Sequence, residues 1–248
     1  MTPAGLRPDQ DAYGHLILEY FDTGRGQEIV ERDDGFIEAM LGPHSYFAPL
    51  RRWPAVERRA LRYVRGRVLD VGCGAGRVAL ELQGRGHDVV GIDNSPLAVR
   101  VARKRGVKTV RVLPFERVDK SFGLFDTVLL YGNNFGLFGG EGSGRRILRR
   151  LRRLTSETGR IVGASLDPYG TENPAHLAYH VRNRKRGRLP GQLRLRIRHR
   201  QRATPWFDYL IVSPAEMGDL IRGTGWHVHR IVHGEGPYYV GVLEKDHT

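Results

Sequence analysis

The sequence predicts an α/β fold in which a mostly parallel sheet carries helices on both faces, a doubly wound arrangement. Two observations predict it. Short apolar runs alternate with helical segments through the middle of the chain, and some of these runs end in glycine or at the start of a helix. Apolar residues make up 40% of the 248 residues, which is enough for one buried core with additions around it.

The predicted elements follow one another in the order that such a sheet requires. Five strands are predicted over 68–71, 87–93, 107–113, 125–131 and 160–166, with helices over 77–83, 96–105 and 146–154. Ser213 to Glu216 form a capping box that opens a short helix. The segments 226–233 and 238–244 then predict two strands that finish the sheet as an antiparallel pair.

Two segments stand outside this alternation. Residues 1–53 are predicted to form an N-terminal cap, with a helix over 11–21 and a hairpin that pairs 28–32 with 36–40. Residues 167–212 are predicted to form a β-rich insertion after the fifth strand. The main domain then consists of residues 54–166 and 213–248, and a helix over 54–64 leads into its first strand.

Apolar and arginine residues alternate strictly over 193–202 of the insertion, which is the period of a strand, and a partner strand is predicted at 206–212. The arginines on one face of this strand are Arg194, Arg196, Arg198, Arg200 and Arg202. Four interpretations of that face stay open. It protects an edge strand, recognises a small anionic molecule, contacts a nucleic-acid backbone, or forms a homodimer contact.

Composition excludes several classes of protein. The net charge is +13, but the chain has only one cysteine, Cys73, which excludes a disulfide scaffold and a cysteine-based zinc site. A single cysteine suits a reducing cytoplasm. No run of 18 apolar residues exists and the first ten residues lack an apolar signal core, so neither a membrane span nor secretion is expected.

The most informative stretch runs from Val68 to Arg77, where a strand ends, glycines follow at positions 72, 74 and 76, and a helix begins. Dinucleotide enzymes use the different spacing G-x-G-x-x-G. Asp70 lies two residues before the first glycine, which disfavours a phosphate and favours a cationic amino-acid group. Asp93 ends the next strand, where a carboxylate is placed to accept hydrogen bonds from both ribose hydroxyls. Ribose with a cationic amino acid describes S-adenosylmethionine.

On these residues the sequence resembles the class I S-adenosylmethionine-dependent methyltransferases, over roughly residues 54–166 and more loosely in the terminal strands. The resemblance implies a Rossmann-like, seven-stranded sheet with an antiparallel last strand, and S-adenosylmethionine as the cofactor. It places the glycines beside the methionine part, Asp70 near its amino group, Asp93 on the ribose, and Asn94 and Ser95 beside the adenine. The predicted cofactor-binding residues are Tyr46, Asp70, Gly72, Cys73, Gly74, Gly76, Asp93, Asn94, Ser95, Leu113 and Tyr131.

The chain departs from the family in two places. The third strand ends at 111–115 without the acid that many members place near the adenine, although Leu113 and Phe115 can sandwich the ring. The fourth strand is followed by Tyr131-Gly132-Asn133-Asn134, without the Asn/Asp-Pro-Pro-aromatic signature used on amide or adenine amino groups. Acceptors of those two kinds are therefore less expected.

Methyl transfer from a sulfonium depends mainly on alignment, and it requires a base only where the nucleophile holds a proton. The candidate catalytic residues are Tyr131, Asn133 and His180, with packing and turn formation as the competing roles. His176 and His180 would share a helix face, but no third ligand is obvious and no metal site is predicted.

The predicted function is methylation of a small molecule, with anionic molecules among the candidates. One alternative is an RNA methyltransferase, whose binding would weaken steeply with salt. The other is a non-catalytic protein that binds the cofactor and engages a partner through the arginine strand. No membrane partner is expected.

Overall fold

In the computed structural model the described residues, 5–40 and 42–246, form seven α-helices and twelve β-strands. The helices are α1 (Ala12–Thr23), α2 (Ala55–Ala60), α3 (Arg77–Gly84), α4 (Pro96–Lys104), α5 (Glu141–Leu154), α6 (Pro174–Lys185) and α7 (Pro214–Ile221). The strands are β1 (Ile29–Arg32), β2 (Ile37–Ala39), β3 (Val68–Val71), β4 (Val89–Asp93), β5 (Val110–Val112), β6 (Phe125–Leu130), β7 (Thr155–Leu166), β8 (Gln192–His199), β9 (Arg202–Ala203), β10 (Phe207–Leu210), β11 (Trp226–His233) and β12 (Tyr238–Lys245).

The main sheet has seven strands in the order β11-β12-β7-β6-β3-β4-β5. Strand β4 is parallel to β3 and β5, and β6 is parallel to β7, whereas β12 is antiparallel to both β7 and β11. The prediction of a seven-stranded α/β sheet with an antiparallel last strand is therefore confirmed. A second sheet has the strand order β10-β8-β1-β2, with β9 paired to β8. None of the helices in the described ranges is long and apolar enough to cross a membrane.

The chain divides into two compact units. The first comprises Met1–Trp53, Arg67–Asp119 and Leu195–Trp206, and the second comprises Pro54–Gly66, Lys120–Arg194 and Phe207–Thr248. In the first unit, Asp11 fixes the packing of α1 against α4. Its buried carboxylate caps α1 by accepting the Gly14 N–H (2.9 Å) and also accepts the Leu97 N–H (3.1 Å) at the start of α4.

The second unit is built around strands β6, β7 and β12 with the large helix α5. Trp226 at the start of β11 is fully buried, and its indole N–H donates to the Leu148 carbonyl on α5 at 2.9 Å. The capping box predicted at Ser213 and Glu216 is present at the start of α7. The helix predicted over 146–154 begins five residues earlier, at Glu141, and its added N-terminal part includes Gly144, which is buried against Leu220 and Phe138.

The prediction of one strand over 193–202 is wrong at its C-terminal end. Strand β8 stops at His199, and Arg200 has a positive φ of 52°, which ends the period-two alternation in a turn to β9. Arg200 and Arg202 therefore do not continue a single strand face. Strand β8 also pairs antiparallel with β1 of the cap, with Arg196 opposite Glu31.

Much of the arginine face is neutralised inside the first unit. Glu31 on β1 accepts hydrogen bonds from the guanidinium groups of Arg196 (2.8 and 2.9 Å) and Arg198 (2.9 Å). Glu19 on α1 accepts from Arg200 (2.7 and 2.8 Å), and His199 Nε2 lies 2.9 Å from the same carboxylate. These forked ion pairs attach β8 to the N-terminal segment.

We expect Glu31→Ala to lower the free energy of unfolding by roughly 1 kcal/mol, because it removes the partner of two arginines. Arg196 and Arg198 hold the pKa of Glu31 below its usual value through their hydrogen bonds, so the effect should be present at neutral pH and vanish in strong acid. Urea unfolding of Glu38→Ala, an exposed glutamate on β2, provides the matched control. Equal stabilities of the two variants at pH 7 would contradict the pairing.

Candidate functional site

The glycine loop lies in the first unit, between the buried strand β3 and helix α3. Gly72, Gly74 and Gly76 have φ values of 67°, 52° and 80°, a region that other residues rarely adopt. The N–H groups of Gly72 and Cys73 both donate to the Ile92 carbonyl on β4, at 2.9 and 3.0 Å. The alternate spacing of the glycines thus reflects three left-handed residues that turn the chain back over the end of β4.

Asp93 joins this loop to the start of α4. Asp93 is only 8% exposed, and its carboxylate accepts the Gly74 N–H through Oδ2 and the Ser95 N–H through Oδ1, both at 2.9 Å. Burial raises the pKa of Asp93 to about 6, against the lowering effect of those two hydrogen bonds. Each carboxylate oxygen has a further lone pair, so the group can accept hydroxyl donors in addition to the two backbone N–H groups.

The surroundings of the loop are acidic. Asp70 is buried at the end of β3, and Cys73 is buried within the loop. Burial, followed by the nearby Asp93 and Asp70 carboxylates, raises the pKa of the Cys73 thiol well above its usual value, so the thiol stays neutral. Two buried carboxylates with a neutral thiol favour a cationic group beside the loop.

Tyr13 on α1 also belongs to this site, and the sequence analysis did not identify it. Its hydroxyl lies 2.6 Å from the position that a Cβ on Gly74 would take, so the Tyr13 ring closes over the loop. The ring meets Tyr46 edge to face at 5.4 Å, and the Tyr46 hydroxyl donates to the buried Glu28 at 2.8 Å. The only signal in the sequence was that Tyr13 lies in the first turn of a helix in the predicted cap.

Of the four residues predicted at the adenine, Asn94, Ser95 and Leu113 lie at the ends of β4 and β5, and Phe115 is buried in the helical turn that follows β5. Ser95 is buried and caps α4 by accepting the Ala98 N–H at 3.0 Å, while Asn94 is exposed. The Leu113 N–H donates to the Asp93 carbonyl at 2.8 Å, and the Leu113 side chain is half-buried. Their contact with an adenine ring stays a prediction.

In the second unit, a turn follows β6 at residues 131–134, which we call the post-β6 turn. The Tyr131 hydroxyl donates to the Glu57 carbonyl at 3.0 Å, and the Gly132 N–H donates to the Glu57 carboxylate at 3.0 Å. The Tyr238 hydroxyl donates to the same carboxylate oxygen at 2.6 Å. Glu57 is 1% exposed, so a buried carboxylate that the sequence analysis did not identify fixes the start of the turn.

The other two candidate catalytic residues have different surroundings. Asn133 has a φ of 67°, and its carbonyl accepts the Gly136 N–H (3.0 Å) and the Tyr209 hydroxyl (2.5 Å). His180 is buried on α6, three residues before Asn183. His176 Nδ1 lies 3.1 Å from the Thr171 hydroxyl, and no group of three metal-binding side chains occurs among the residues that the structure describes.

Comparisons with known proteins place the chain among methyltransferases. Residues 68–159 match the family described as "Methyltransferase domain". A crystal structure of a SAM-dependent methyltransferase from Bacteroides fragilis, in complex with S-adenosyl-L-homocysteine, has a TM-score of 0.83 and 26% sequence identity, and the match covers 98% of each chain.

Two curated relatives match over shorter regions. The ubiquinone/menaquinone biosynthesis C-methyltransferase UbiE of Geotalea uraniireducens is 29% identical over 161 residues, 60% of this chain and 62% of that protein. The 2-heptyl-1-hydroxyquinolin-4(1H)-one methyltransferase of Mycobacteroides abscessus is 37% identical over 78 residues, 27% of this chain and 34% of that protein. The chain thus spans less than two thirds of the length of either relative.

The fold, the glycine loop and these matches together confirm the expected resemblance to the class I S-adenosylmethionine-dependent methyltransferases. The cofactor expected from the same resemblance, S-adenosylmethionine, is confirmed with it. The roles of individual residues stay predictions.

The affinity for S-adenosylhomocysteine should depend on pH through Asp93. The charged carboxylate is the better acceptor for ribose hydroxyls, and its pKa is raised to about 6 by burial. Binding should therefore be constant above pH 7 and about tenfold weaker at pH 5, where the group is protonated. Isothermal titration calorimetry between pH 5 and 8 measures this, with Asp93→Asn as the control that should bind weakly and without the same pH dependence. A pH-independent affinity in the unmodified protein would contradict the assignment.

The Glu57 network should stabilise the fold. We expect Glu57→Ala to lower the free energy of unfolding by about 2–3 kcal/mol, because the Tyr238 hydroxyl and the Gly132 N–H both lose their acceptor, and Tyr238→Phe by roughly 1 kcal/mol. The double variant should cost less than the sum, since the two residues share one hydrogen bond. Urea unfolding tests this against Glu235→Ala in an exposed turn, and strictly additive losses would show that the two groups do not interact.

Proposed function

We propose that this protein transfers the methyl group of S-adenosylmethionine to a small-molecule acceptor. The observation that carries the proposal is the buried Asp93 carboxylate, which bridges the N–H groups of Gly74 and Ser95 at the end of β4. This arrangement fixes a hydrogen-bond acceptor beside a glycine loop whose backbone a ligand can approach closely. A ribose with two adjacent hydroxyls is the ligand group that such a carboxylate suits.

The remaining contacts follow from the first unit. Gly72, Gly74 and Gly76 would face the methionine part, and Asp70 with its negative charge would lie near the ammonium group. Asn94, Ser95 and Leu113 would border the adenine. Tyr13 and Tyr46 would lie nearer the sulfonium, because aromatic faces attract cations.

The bound cofactor supplies a methyl group on a positively charged sulfur. The chain's own residues contribute orientation, which accounts for much of the rate in such transfers. Asp93 and the glycine loop would fix the position of the sugar and the amino acid.

The charge pattern supports a small acceptor rather than RNA. Arg196, Arg198 and Arg200 are paired with Glu31 and Glu19, so the arginine face has few charges left for phosphates. The curated relatives named above act, by their names, on a quinolone and in quinone biosynthesis. The insertion at 167–212 would bind the acceptor, and the single cysteine supports a cytoplasmic location.

The proposed function is tested in two steps. Calorimetry should show binding of S-adenosylhomocysteine with micromolar affinity, no comparable binding of NADH, and at least tenfold weaker cofactor binding by Asp93→Asn. Methyl-labelled S-adenosylmethionine is then incubated with the small-molecule fraction and with the RNA of the producing cells. Label should appear in the small-molecule fraction. Label in RNA would favour an RNA acceptor, and cofactor binding without any transfer would favour the non-catalytic alternative.

A further inference from the structure

A buried glutamate of the N-terminal cap has no role in the site as described so far. Glu28 directly precedes β1 and is only 5% exposed, and its carboxylate accepts the Tyr46 hydroxyl at 2.8 Å. Within residues 5–40 and 42–246 it has no ion-pair partner. Glu31, three residues further on, pairs instead with Arg196 and Arg198. Glu28 is therefore a buried carboxylate that no cation of the described chain compensates.

Tyr46 connects this carboxylate to the glycine loop. The Tyr46 ring meets the Tyr13 ring edge to face at 5.4 Å, and both rings pack against a buried cluster that contains Ala75 of the loop. The Tyr13 hydroxyl lies 2.6 Å from the position that a Cβ on Gly74 would take. A continuous series of contacts thus leads from Glu28 to the loop, and all of its members belong to the first unit.

The electrostatic effect of Glu28 also reaches the loop. Burial raises the pKa of the Tyr13 hydroxyl well above its usual value, and Tyr46, Asp93 and Glu28 raise it further by charge repulsion. Glu28 is therefore close enough to act on a group that lies against Gly74. The same field would act with opposite sign on a cation, and it would attract one.

A buried carboxylate without a cation is costly, and such groups occur where a ligand supplies the opposite charge. Glu28 needs no direct contact with that ligand, because charges interact beyond contact distance in a buried, low-dielectric site. Tyr46 strengthens the effect. A phenol that donates a hydrogen bond to a carboxylate gains electron density in its ring, and the face of an electron-rich ring attracts cations.

We propose that Glu28, acting through Tyr46, is a specificity-determining residue that makes the site prefer the charged methyl donor over the neutral thioether product. S-adenosylmethionine and S-adenosylhomocysteine share the nucleoside, the ammonium group and the carboxylate. They differ in the methyl group and in the positive charge on sulfur. The inference rests on the cofactor binding of the proposed function, and it adds a residue that distinguishes the two forms. Such a preference favours replacement of the product by fresh donor after each transfer.

This role separates Glu28 from the two other buried carboxylates of the site. Asp93 would bind the ribose hydroxyls, and Asp70 would lie near the ammonium group. Donor and product carry both of these groups, so the loss of either aspartate should weaken the binding of both ligands. A carboxylate that acts on the sulfur should instead change the ratio of the two affinities.

The test measures dissociation constants by calorimetry at pH 8, where the carboxylates are ionised, and without an acceptor. The ligands are S-adenosylhomocysteine, S-adenosylmethionine and sinefungin, an analogue with an amine-bearing carbon in place of the methylated sulfur. Glu28→Gln keeps an acceptor for the Tyr46 hydroxyl and almost the same volume. In this variant the Kd of S-adenosylhomocysteine, divided by that of each charged ligand, should be about tenfold smaller than in the unmodified protein.

Two further variants complete the test. Tyr46→Phe keeps the ring and loses the hydrogen bond, so the same ratio should fall about threefold. It also provides the decisive measurement if Glu28→Gln does not fold. Glu31→Gln is the matched control, because it removes a nearby carboxylate that arginines already compensate, and its ratio should equal that of the unmodified protein. A loss of stability alone would weaken all three ligands together and leave the ratio unchanged.

The outcomes are distinct. The effect of Glu28→Gln should persist in 0.5 M NaCl, since salt screens buried charges little, and an effect that disappeared there would overturn the proposal. A ratio unchanged in Glu28→Gln, or in Tyr46→Phe if only that variant folds, would also overturn it, as would an equal fall in Glu31→Gln. In each case intact binding of S-adenosylhomocysteine leaves the proposed function standing, whereas a protein that binds none of the three ligands would refute both.

Discussion

The Asp93 carboxylate is the interaction on which the first unit depends. It accepts one N–H from the glycine loop and one from the start of α4, so it fixes two consecutive β–α connections relative to each other. Asp11 then attaches α1 to the same end of α4, and Tyr13, two residues further on, reaches Gly74. A buried acid that is costly to ionise is thus retained where it organises the backbone around a binding site.

The arginines in and just after β8 are paired with carboxylates and do not form one free basic surface. The net charge of +13 draws attention to the arginines in and after β8, yet Glu31 pairs with Arg196 and Arg198, and Glu19 pairs with Arg200. These ion pairs attach β8 and the turn after it to β1 and α1. The arginine-rich strand that resembled an anion-binding site in the sequence is therefore largely used within the fold.

Local patterns predicted most of the elements, because each depends on neighbouring residues. The spacing of Gly72, Gly74 and Gly76 predicted a loop that the structure explains by three positive φ angles. Contacts between residues far apart in the sequence could not be predicted. Tyr13 and Gly74, or Glu57 and Tyr238, meet only once the chain has folded, and one sequence does not show which partners it brings together. The turn at Arg200 was missed because alternation of residue types does not reveal a positive φ.

The glycine loop and Asp93 lie together in the first unit. The buried carboxylates and the glycine loop of this unit suit a cationic nucleoside. A crystal structure of the protein with S-adenosylhomocysteine tests the central assignment most directly. The ribose hydroxyls should lie within hydrogen-bond distance of the Asp93 carboxylate and the amino-acid part beside the glycine loop. A nucleoside bound elsewhere, with Asp93 contacting only Gly74 and Ser95, would contradict it.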